Sequence, residues 1–266
     1  MRALWSAHAI CDAGGAPGSR ALAEEVPVAL VYDGATQAVM MASPADLEDF
    51  VLGFALTEGI VRGRAEITAT EIVDQGRGIE ARAWLAPGAG AALAQRRRAG
   101  VGPLGCGLCG INSLSEALRP LPRIARAARL TADSPGRAMA ALAAAQPLQD
   151  ATRAAHAAGF WLPSAGLIAL REDVGRHNAL DKLAGALARA GIAPDTGAVV
   201  LTSRLSVDLV QKAAVIGAGV LIAASAPTAL AVAEAEAAGI TVIARTRGNA
   251  YDIHTHADRI GPEQAA

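Results

Sequence analysis

From about residue 165, short apolar runs alternate with longer amphipathic segments, and this alternation constrains the fold more than any other feature of the chain. The apolar runs predict strands at 167–170, 198–201, 220–224 and 240–244. The segments between them predict helices at 178–190, 207–218 and 228–238. Three successive strand–helix–strand units predict a mostly parallel sheet that is covered by helices on both faces.

A polar segment follows each of these predicted strands. The four segments, most of which contain arginine, are 171–178, 202–204, 225–228 and 245–249. Because ligands of such sheets bind beyond the carboxyl ends of the strands, we expect all four segments to lie along one edge. Several arginines beside helix N-termini favour an anionic ligand that carries phosphate groups.

The N-terminal part of the chain has a different pattern. Strands are predicted at 26–32, 38–42, 67–73 and 79–85. Ser43 is predicted to cap a helix that has Pro44 in its first turn and stops at Gly59. Residues 26–95 therefore predict a small α+β domain, and the glycine- and alanine-rich residues 1–23 predict a mobile start.

Charge and hydropathy exclude several classes of protein. The 24 basic and 25 acidic residues give a net charge of −1, so no global field favours nucleic acid or an anionic membrane. Residues 213–233 lack charge, but interrupting glycine, serine and proline favour a helix end, a buried strand and a second helix over a membrane span. Residues 1–10 show no signal-peptide pattern, so we predict a cytoplasmic protein.

Cys106 and Cys109 form a C-x-x-C pair among glycines, in a chain whose one other cysteine, Cys11, is interpreted as incidental. Such a pair can close a disulfide, share a metal or pass on a sulfur atom. The spacing of the histidines does not match a zinc finger, the His-x-Glu of zinc deaminases is missing upstream, and the strand that leads into a thioredoxin-like dithiol is absent. Sulfur transfer is therefore favoured, while zinc binding, thiol–disulfide exchange and two incidental thiols stay open.

Other polar residues near the predicted edge have more than one interpretation. His177 fits a structural role as well as ligand contact or proton transfer, and His156 is a further candidate. Glu172-Asp173 fits either an acidic site pair or two carboxylates that hold the neighbouring arginines in place, and the second interpretation is favoured. Asp181 and Lys182 are predicted to form a surface pair.

Several motifs occur in a defined order along residues 24–260. They are Glu25-Val26-Pro27-Val28, Ser43-Pro44-Ala45-Asp46-Leu47-Glu48-Asp49, Glu58-Gly59-Ile60, Cys106-Gly107-Leu108-Cys109-Gly110, Arg171-Glu172-Asp173-Val174-Gly175-Arg176-His177-Asn178-Ala179-Leu180-Asp181-Lys182, Thr202-Ser203-Arg204, Ser225-Ala226-Pro227-Thr228 and Arg247-Gly248. This series resembles the FdhD family, the formate dehydrogenase accessory sulfurtransferases. The string from Glu172 to Lys182 is its most specific part.

The resemblance implies a sulfurtransferase that takes persulfide sulfur from a cysteine desulfurase. The sulfur passes to a molybdenum, or tungsten, bis(pterin guanine dinucleotide) cofactor, which is bound as cargo and then inserted into formate dehydrogenase. Cys106 would carry the persulfide and Cys109 would assist. A stretch that the family uses to bind the cofactor matches Arg245, Thr246, Arg247, Gly248, Asn249 and Ala250. The predicted edge adds Arg176, His177, Asn178, Ser203, Arg204, Ser225, Pro227 and Thr228 to the cofactor-binding residues.

The resemblance also implies a fold and an assembly. We expect a cytidine-deaminase-like, three-layer α/β/α core domain at 131–260 and a smaller α+β domain at 24–95. The cysteine loop and a connector occupy 96–130, and 1–23 and 261–266 are terminal segments. The protein is expected to be a homodimer with no metal site of its own, no nucleic acid partner and no membrane span. The alternative function is a non-catalytic chaperone that binds and delivers the cofactor.

Two departures from the family pattern affect residue assignments. The family's Thr-Gly-Gly before His156 is Thr152-Arg153-Ala154 here, which changes a loop where glycines permit close backbone approach. A second basic residue expected after Gly248 is also missing, and Arg245 is a candidate to compensate for it.

Overall fold

A two-stranded hairpin, a four-stranded sheet and one α-helix make up the N-terminal part of the computed structural model, which describes residues 2–90 and 120–261. The elements are β1 (Trp5–Cys11), β2 (Pro17–Ala23), β3 (Val26–Tyr32), β4 (Ala35–Ala42), α1 (Leu47–Thr57), β5 (Ile67–Asp74) and β6 (Ile79–Leu85). The four-stranded sheet has the order β4-β3-β6-β5, with a parallel central pair and antiparallel outer pairs. Its four strands are those that the sequence predicts.

The C-terminal part contains a six-stranded sheet and five α-helices within the described residues. The elements are β7 (Leu130–Thr131), α2 (Ser134–Ala143), α3 (Pro147–Thr152), β8 (His156–Leu162), β9 (Gly166–Asp173), α4 (Arg176–Ala190), β10 (Ala198–Leu201), α5 (Val207–Ile216), β11 (Val220–Ala223), α6 (Ala229–Ala238), β12 (Thr241–Arg247), β13 (Ala250–Ile253) and β14 (Ile260–Gly261). Single 3₁₀ turns lie at Arg64–Glu66, Pro194–Thr196 and Ala257–Arg259. Every strand and helix predicted beyond residue 165 is present.

The six strands follow the order β13-β12-β11-β10-β8-β9. β10, β11 and β12 are parallel neighbours, whereas β8 lies between β9 and β10 and is antiparallel to both. The four predicted strands, β9, β10, β11 and β12, all run in the same direction, as predicted, whereas β8 and β13 enter the sheet antiparallel and were not predicted. Since strand order advances in one direction from β9 to β12, right-handed crossovers place α4, α5 and α6 on one face.

Alternate residues of the central strands pack on opposite faces of this sheet. Val199 and Leu201 of β10 belong to the apolar cluster that includes α4, α5 and α6. Ala198 and Val200 belong to a second cluster, on the side of α2. Because both faces are covered, the strands are continuous apolar runs, as the sequence shows. The mixed α/β class is thus confirmed.

Helices α1 and α4 pack together through two glycines. A Cβ atom added at Gly53 of α1 would overlap the carbonyl oxygen of Asp181 in α4. A Cβ atom added at Gly185 of α4 would overlap the carbonyl oxygen of Asp49 in α1. The two backbones are therefore in direct contact, which fixes the N-terminal sheet and its helix against the larger sheet.

The predicted N-cap at Ser43 is wrong. Helix α1 begins at Leu47, after Asp46 in a left-handed conformation with a φ of 53°. Ser43 is fully buried, and its N–H donates to the Asp173 carboxylate at 3.0 Å while its hydroxyl accepts from the Val174 N–H at 3.2 Å. The N–H and hydroxyl of Ser43 therefore form hydrogen bonds with a segment 130 residues away in the chain and do not cap α1.

Residues 5–23, where the sequence predicts a mobile start, form the hairpin β1–β2 with seven residues in each strand. No residue of either strand is buried. Alanine, glycine and serine dominate these strands, so they lack the alternation of large apolar and polar residues that predicts a strand.

The uncharged residues 213–233 comprise the end of α5, the buried strand β11 and the start of α6, as predicted. Among the helices that the structure describes, none combines the length and the apolar character that a bilayer crossing requires.

Candidate functional site

The polar segments that follow β10, β11 and β12 are joined by backbone hydrogen bonds. The Leu205 N–H donates to the Ala226 carbonyl at 3.3 Å, and the Thr228 N–H donates to the Leu205 carbonyl at 2.9 Å. The Arg245 N–H donates to the Ser225 carbonyl at 3.2 Å. The expectation that these segments share one edge of the sheet is confirmed.

Two further segments reach the same edge. Residues 174–178 follow β9, and the His177 side chain contacts Asp208 in the first turn of α5. β8 runs in the opposite direction, so its first residue, His156, also lies there, and the adjacent Ala157 N–H donates to the Thr202 hydroxyl at 2.9 Å. We call the surface formed by residues 174–178, 202–206, 224–228, 245–249 and His156 the strand-end edge.

The end of β12 is irregular. The pairing of β12 with β13 shifts register between Ala244 and Arg247, and Arg245 is left-handed with a φ of 53°. This conformation costs a non-glycine residue about 1 kcal/mol. Arg245 and Arg247 are both exposed, while Thr246 between them is buried.

The arginines of the strand-end edge have little compensating charge. Arg176, Arg204 and Arg247 have no carboxylate partner within the described ranges 2–90 and 120–261. Arg245 is paired only loosely, with 3.6 Å between its Nε and an oxygen of Asp252, and both side chains are largely exposed. Guanidinium groups in this state can bind an anion without first losing a protein partner.

Buried polar atoms at this edge also lack partners. In the part of the chain that the structure describes, no hydrogen bond reaches Nε of Arg176, Oγ of Ser206 or Oγ1 of Thr246. A buried donor or acceptor left without a partner costs about 1–3 kcal/mol. These three atoms are closed to solvent, so a ligand would have to displace neighbouring groups before it could hydrogen-bond them.

His177 is buried and is held neutral by its surroundings. Burial lowers the pKa of His177 to about 4, although the Asp208 carboxylate beside it acts in the opposite direction. The charges of Arg176 and Lys212 contribute to this lowering of the His177 pKa. At neutral pH the ring is therefore uncharged and can donate one hydrogen bond to Asp208.

The His177→Gln variant is expected to lose less stability than the parent as the pH falls. Because the folded pKa of about 4 lies below the unfolded value of 6.5, His177 contributes stability that is complete above pH 6.5 and is lost as pH falls toward 4. The difference in the free energy of unfolding, parent minus His177→Gln, should therefore be about 2 kcal/mol smaller at pH 5 than at pH 7. Urea unfolding at the two pH values measures this difference.

The control for this measurement is His254→Gln, whose side chain is exposed. An exposed imidazole is solvated in both states, so its replacement should give the same difference at pH 7 and pH 5. An equally flat result for His177→Gln would contradict the assignment of a buried, neutral ring.

Asp181 and Lys182 do not form the predicted surface pair. Both are fully buried, and Asp181 instead accepts hydrogen bonds from the Thr57 hydroxyl at 2.6 Å and from Lys212 Nζ at 2.9 Å. Lys212 also contacts Glu58 at 2.7 Å. Burial raises the pKa of Asp181 to about 6, against the opposing effect of Lys212. These groups form a buried ionic cluster between α1, α4 and α5.

Asp173 is the centre of a second buried cluster. Its carboxylate accepts from Lys182 Nζ at 2.6 Å, from the Asn178 amide at 2.9 Å and from the Ser43 N–H. Lys182 also donates to the Ser43 carbonyl at 2.9 Å, and Asn178 to the Met41 carbonyl at 2.8 Å. The cluster therefore connects the start of α4 to the end of β4.

The prediction that Glu172 and Asp173 hold neighbouring arginines is wrong. Glu172 accepts from the N–H groups of Leu148 and Gln149 in α3, at 2.9 and 2.8 Å. The adjacent Arg171 pairs with Asp49 of α1 at 2.6 Å. The partners of this motif come from distant parts of the chain, so they cannot be identified from its own residues.

The predicted cofactor-binding residues divide by exposure. The exposed ones are Arg204, Ser225, Arg245, Arg247, Gly248, Asn249 and Ala250; Arg176, Pro227 and Thr228 are half-buried; His177, Asn178, Ser203 and Thr246 are buried. Thr228 caps α6, since its hydroxyl accepts from the Ala231 N–H at 3.2 Å. The Ser203 hydroxyl donates to the Arg204 carbonyl at 3.0 Å. The exposed arginines are the groups of this set that a ligand can reach most directly.

Sequence reasoning missed two polar residues near this edge. Ser206 is the residue before α5, and Gln146 is the residue before α3. Ser206 could have been found from the sequence, because serine is a common N-cap residue. In the structure, however, the Ser206 side chain makes no capping hydrogen bond.

Cys106 and Cys109, the predicted catalytic pair, lie outside the described residues.

The described residues provide no cluster of side chains suited to bind a metal ion. Within the described ranges, no three His, Cys, Asp or Glu side chains come together as metal ligands would.

Comparison with known proteins adds independent information. Residues 23–261 match the model of the FdhD/NarQ family. The sulfur carrier protein FdhD of Agrobacterium fabrum is 54% identical over 246 residues, which are 92% of this chain and 91% of that protein. The proteins of the same description from Brucella abortus and Bordetella petrii are 51% and 47% identical over 243 and 248 residues, covering 91% and 93% of this chain and 90% and 89% of theirs.

A solved structure supports the fold. The crystal structure of a putative formate dehydrogenase accessory protein from Desulfotalea psychrophila aligns with a TM-score of 0.76. The alignment covers 97% of this chain and 98% of that one, at 24% sequence identity. The two chains share their overall architecture.

Proposed function

Because the chain belongs to the FdhD/NarQ family, we propose that it transfers sulfur on behalf of formate dehydrogenase. In this proposal Cys106 accepts persulfide sulfur from a cysteine desulfurase. The sulfur is delivered to a molybdenum bis(pterin guanine dinucleotide) cofactor, which is the substrate and binds at the strand-end edge. The C-x-x-C pair and the description of the relatives as sulfur carriers support the transfer role.

The transfer balances as two thiol exchanges. The Cys106 thiolate attacks the outer sulfur of the desulfurase persulfide, a new S–S bond forms, and the desulfurase thiolate leaves. The Cys109 thiolate then attacks Cys106 Sγ, so a Cys106–Cys109 disulfide forms and the outer sulfur leaves as hydrosulfide. The two electrons that reduce this sulfur come from the cysteine pair, and a cellular dithiol afterwards reduces the disulfide.

One observation supports substrate binding most directly. Arg176, Arg204 and Arg247 converge on the strand-end edge and have no carboxylate partner among the described residues. A cofactor with two guanine dinucleotides carries two diphosphates, whose oxygens pair well with guanidinium groups. Backbone N–H groups at the start of α5 and α6 face the same edge and favour negative charge.

Several finer expectations stay predictions. These are the homodimer, the cytoplasmic location, the choice between molybdenum and tungsten, the domain boundaries and the cytidine-deaminase-like character of the core.

Intact-mass analysis tests the covalent step. After incubation with a cysteine desulfurase and L-cysteine, the parent chain is expected to gain one sulfur atom, and Cys106→Ala is expected to gain none, because the accepting thiolate is gone. Cys106→Ala should also lose all activation of formate dehydrogenase. Cys109→Ala should keep the persulfide but release little hydrosulfide.

Cys11→Ala is the matched control, since Cys11 is an exposed cysteine in the β1–β2 hairpin. It should gain sulfur and activate formate dehydrogenase like the parent. An unchanged mass for the parent, together with retained cofactor binding, would instead favour the chaperone that delivers the cofactor without covalent chemistry.

A further inference from the structure

The connection between β12 and β13 carries two of the exposed arginines of the strand-end edge, Arg245 and Arg247. Arg247 pairs with Ala250, so Gly248 and Asn249 form a two-residue turn between the strands. Arg245 and Gly248 are both left-handed, with φ values of 53° and 56°. The directions of the two arginines therefore depend on a short, exposed piece of backbone that departs from regular strand geometry.

The first turn of α2 lies directly against this two-residue turn. A Cβ atom added at Gly136 would lie 2.5 Å from the Gly248 carbonyl oxygen and 3.1 Å from Oδ1 of Asn249. Gly136 is buried, whereas the two residues that it faces are exposed. Glycine is unfavourable inside a helix, but here it allows a close approach of two backbones that any side chain would block.

A hydrogen bond fixes a second point of the same contact. The Tyr251 hydroxyl, in β13, donates to the Ala132 carbonyl at 2.8 Å. The start of α2 is itself held by hydrogen bonds, since the Thr131 N–H donates to the Ser134 hydroxyl at 3.2 Å and the two hydroxyls are 2.7 Å apart. The first turn of α2 is therefore a well-anchored support for the turn between β12 and β13.

We propose that Gly136 is a positioning residue for anion binding, because it allows α2 to hold the β12–β13 turn where Arg245 and Arg247 meet the diphosphate of the substrate. The identity of that anion rests on the proposed function. A guanidinium group binds phosphate oxygens strongly only when its N–H groups point at them, so a shift of the backbone that carries it lowers affinity. Gly136 acts through the turn and offers the anion no side chain of its own.

Gly136→Ala tests this role through two measurements on the full chain, GDP affinity by calorimetry and the melting temperature. The variant should bind GDP roughly tenfold more weakly, because the added methyl group displaces the Gly248 carbonyl and the arginines on either side of the turn. Its melting temperature should not fall, because alanine favours the helix and the exposed turn can move. A residue that only stabilises the fold would lower the melting temperature instead.

Two further variants complete the test. Ala143→Ser is the matched control, since it adds one atom at an exposed position near the other end of α2, and it should match the parent in both measurements. Tyr251→Phe removes the hydroxyl that bonds the Ala132 carbonyl without adding volume. It should weaken GDP binding roughly threefold, because the turn loses its second contact with the start of α2.

Unchanged GDP binding by Gly136→Ala overturns the positioning role. If that variant melts at a lower temperature or does not fold, Tyr251→Phe decides, and its unchanged GDP binding is then the contradicting result. Arg247→Ala separates this outcome from a failure of the proposed function. GDP affinity that falls only in Arg247→Ala leaves the strand-end edge as the diphosphate site, whereas GDP affinity that Arg247→Ala also leaves unchanged removes that site from the proposed function.

Discussion

Gly185→Ala is expected to lower the free energy of unfolding by roughly 3–5 kcal/mol, although alanine favours a helix more than glycine does. The gain in helix propensity is about 1 kcal/mol. Against it, the new methyl group would overlap the Asp49 carbonyl oxygen of α1, and backbone cannot move aside as a flexible side chain can. Separating α1 from α4 would open the packed interface along both helices, and this cost exceeds the propensity gain.

Urea unfolding at pH 7 measures this loss. Gly63→Ala is the matched control, because Gly63 has an extended φ of −169° and no atom lies within 4 Å of the position of an added Cβ. It should change stability by less than about 0.5 kcal/mol. Equal stabilities for the two variants would show that α1 and α4 are not in backbone contact. Gly53→Ala, on the facing helix, should behave as Gly185→Ala does.

Lys182→Met is the second substitution with a large expected effect, a loss of roughly 3–5 kcal/mol in the free energy of unfolding. Lys182 and Asp173 are both fully buried, with 2.6 Å between Nζ and the carboxylate oxygen. Methionine fills a similar volume, so packing changes little. The loss comes from Asp173, which would retain hydrogen-bond donors such as the Ser43 N–H but would have no cation beside it.

The control is Arg126→Met, which removes an ion pair with Asp195 in which the arginine side chain is 86% exposed. Exposed pairs contribute at most about 1 kcal/mol, so this variant should unfold near the parent. Thermal and urea unfolding of the two variants give the comparison. A Lys182→Met chain as stable as Arg126→Met would mean that the buried pair is not needed to hold α4 against the end of β4.

The sequence predicts the strongly patterned parts of the fold and misses those with weak patterns. Strands such as β10 and β11 are continuous apolar runs between helices that end at glycine, so both their type and their place are evident. β8 was missed because alanine and glycine fill its first half, and its antiparallel entry between β9 and β10 depends on tertiary pairing. The hairpin β1–β2 was missed for a similar reason.

The site could be predicted only in outline. The common edge follows from strand direction alone, and the structure confirms it. The roles of Asp173, Asp181 and Lys182 do not follow, because their partners at Ser43, Thr57 and Lys212 are far away in the chain. A string of polar residues suggests a surface site, whereas here its members are buried and connect three helices and a strand.

The contact between α1 and α4 also has a consequence during synthesis of the chain. Ser43 and Lys182 are 139 residues apart, so at 5–20 residues per second roughly 7–28 s pass between their emergence from the ribosome. Throughout that interval α1 has been made but α4 has not, and the glycine-lined side of α1 has nothing to pack against. During this interval the nascent N-terminal part exposes apolar surface of α1. Such surface promotes aggregation, which chaperones counteract.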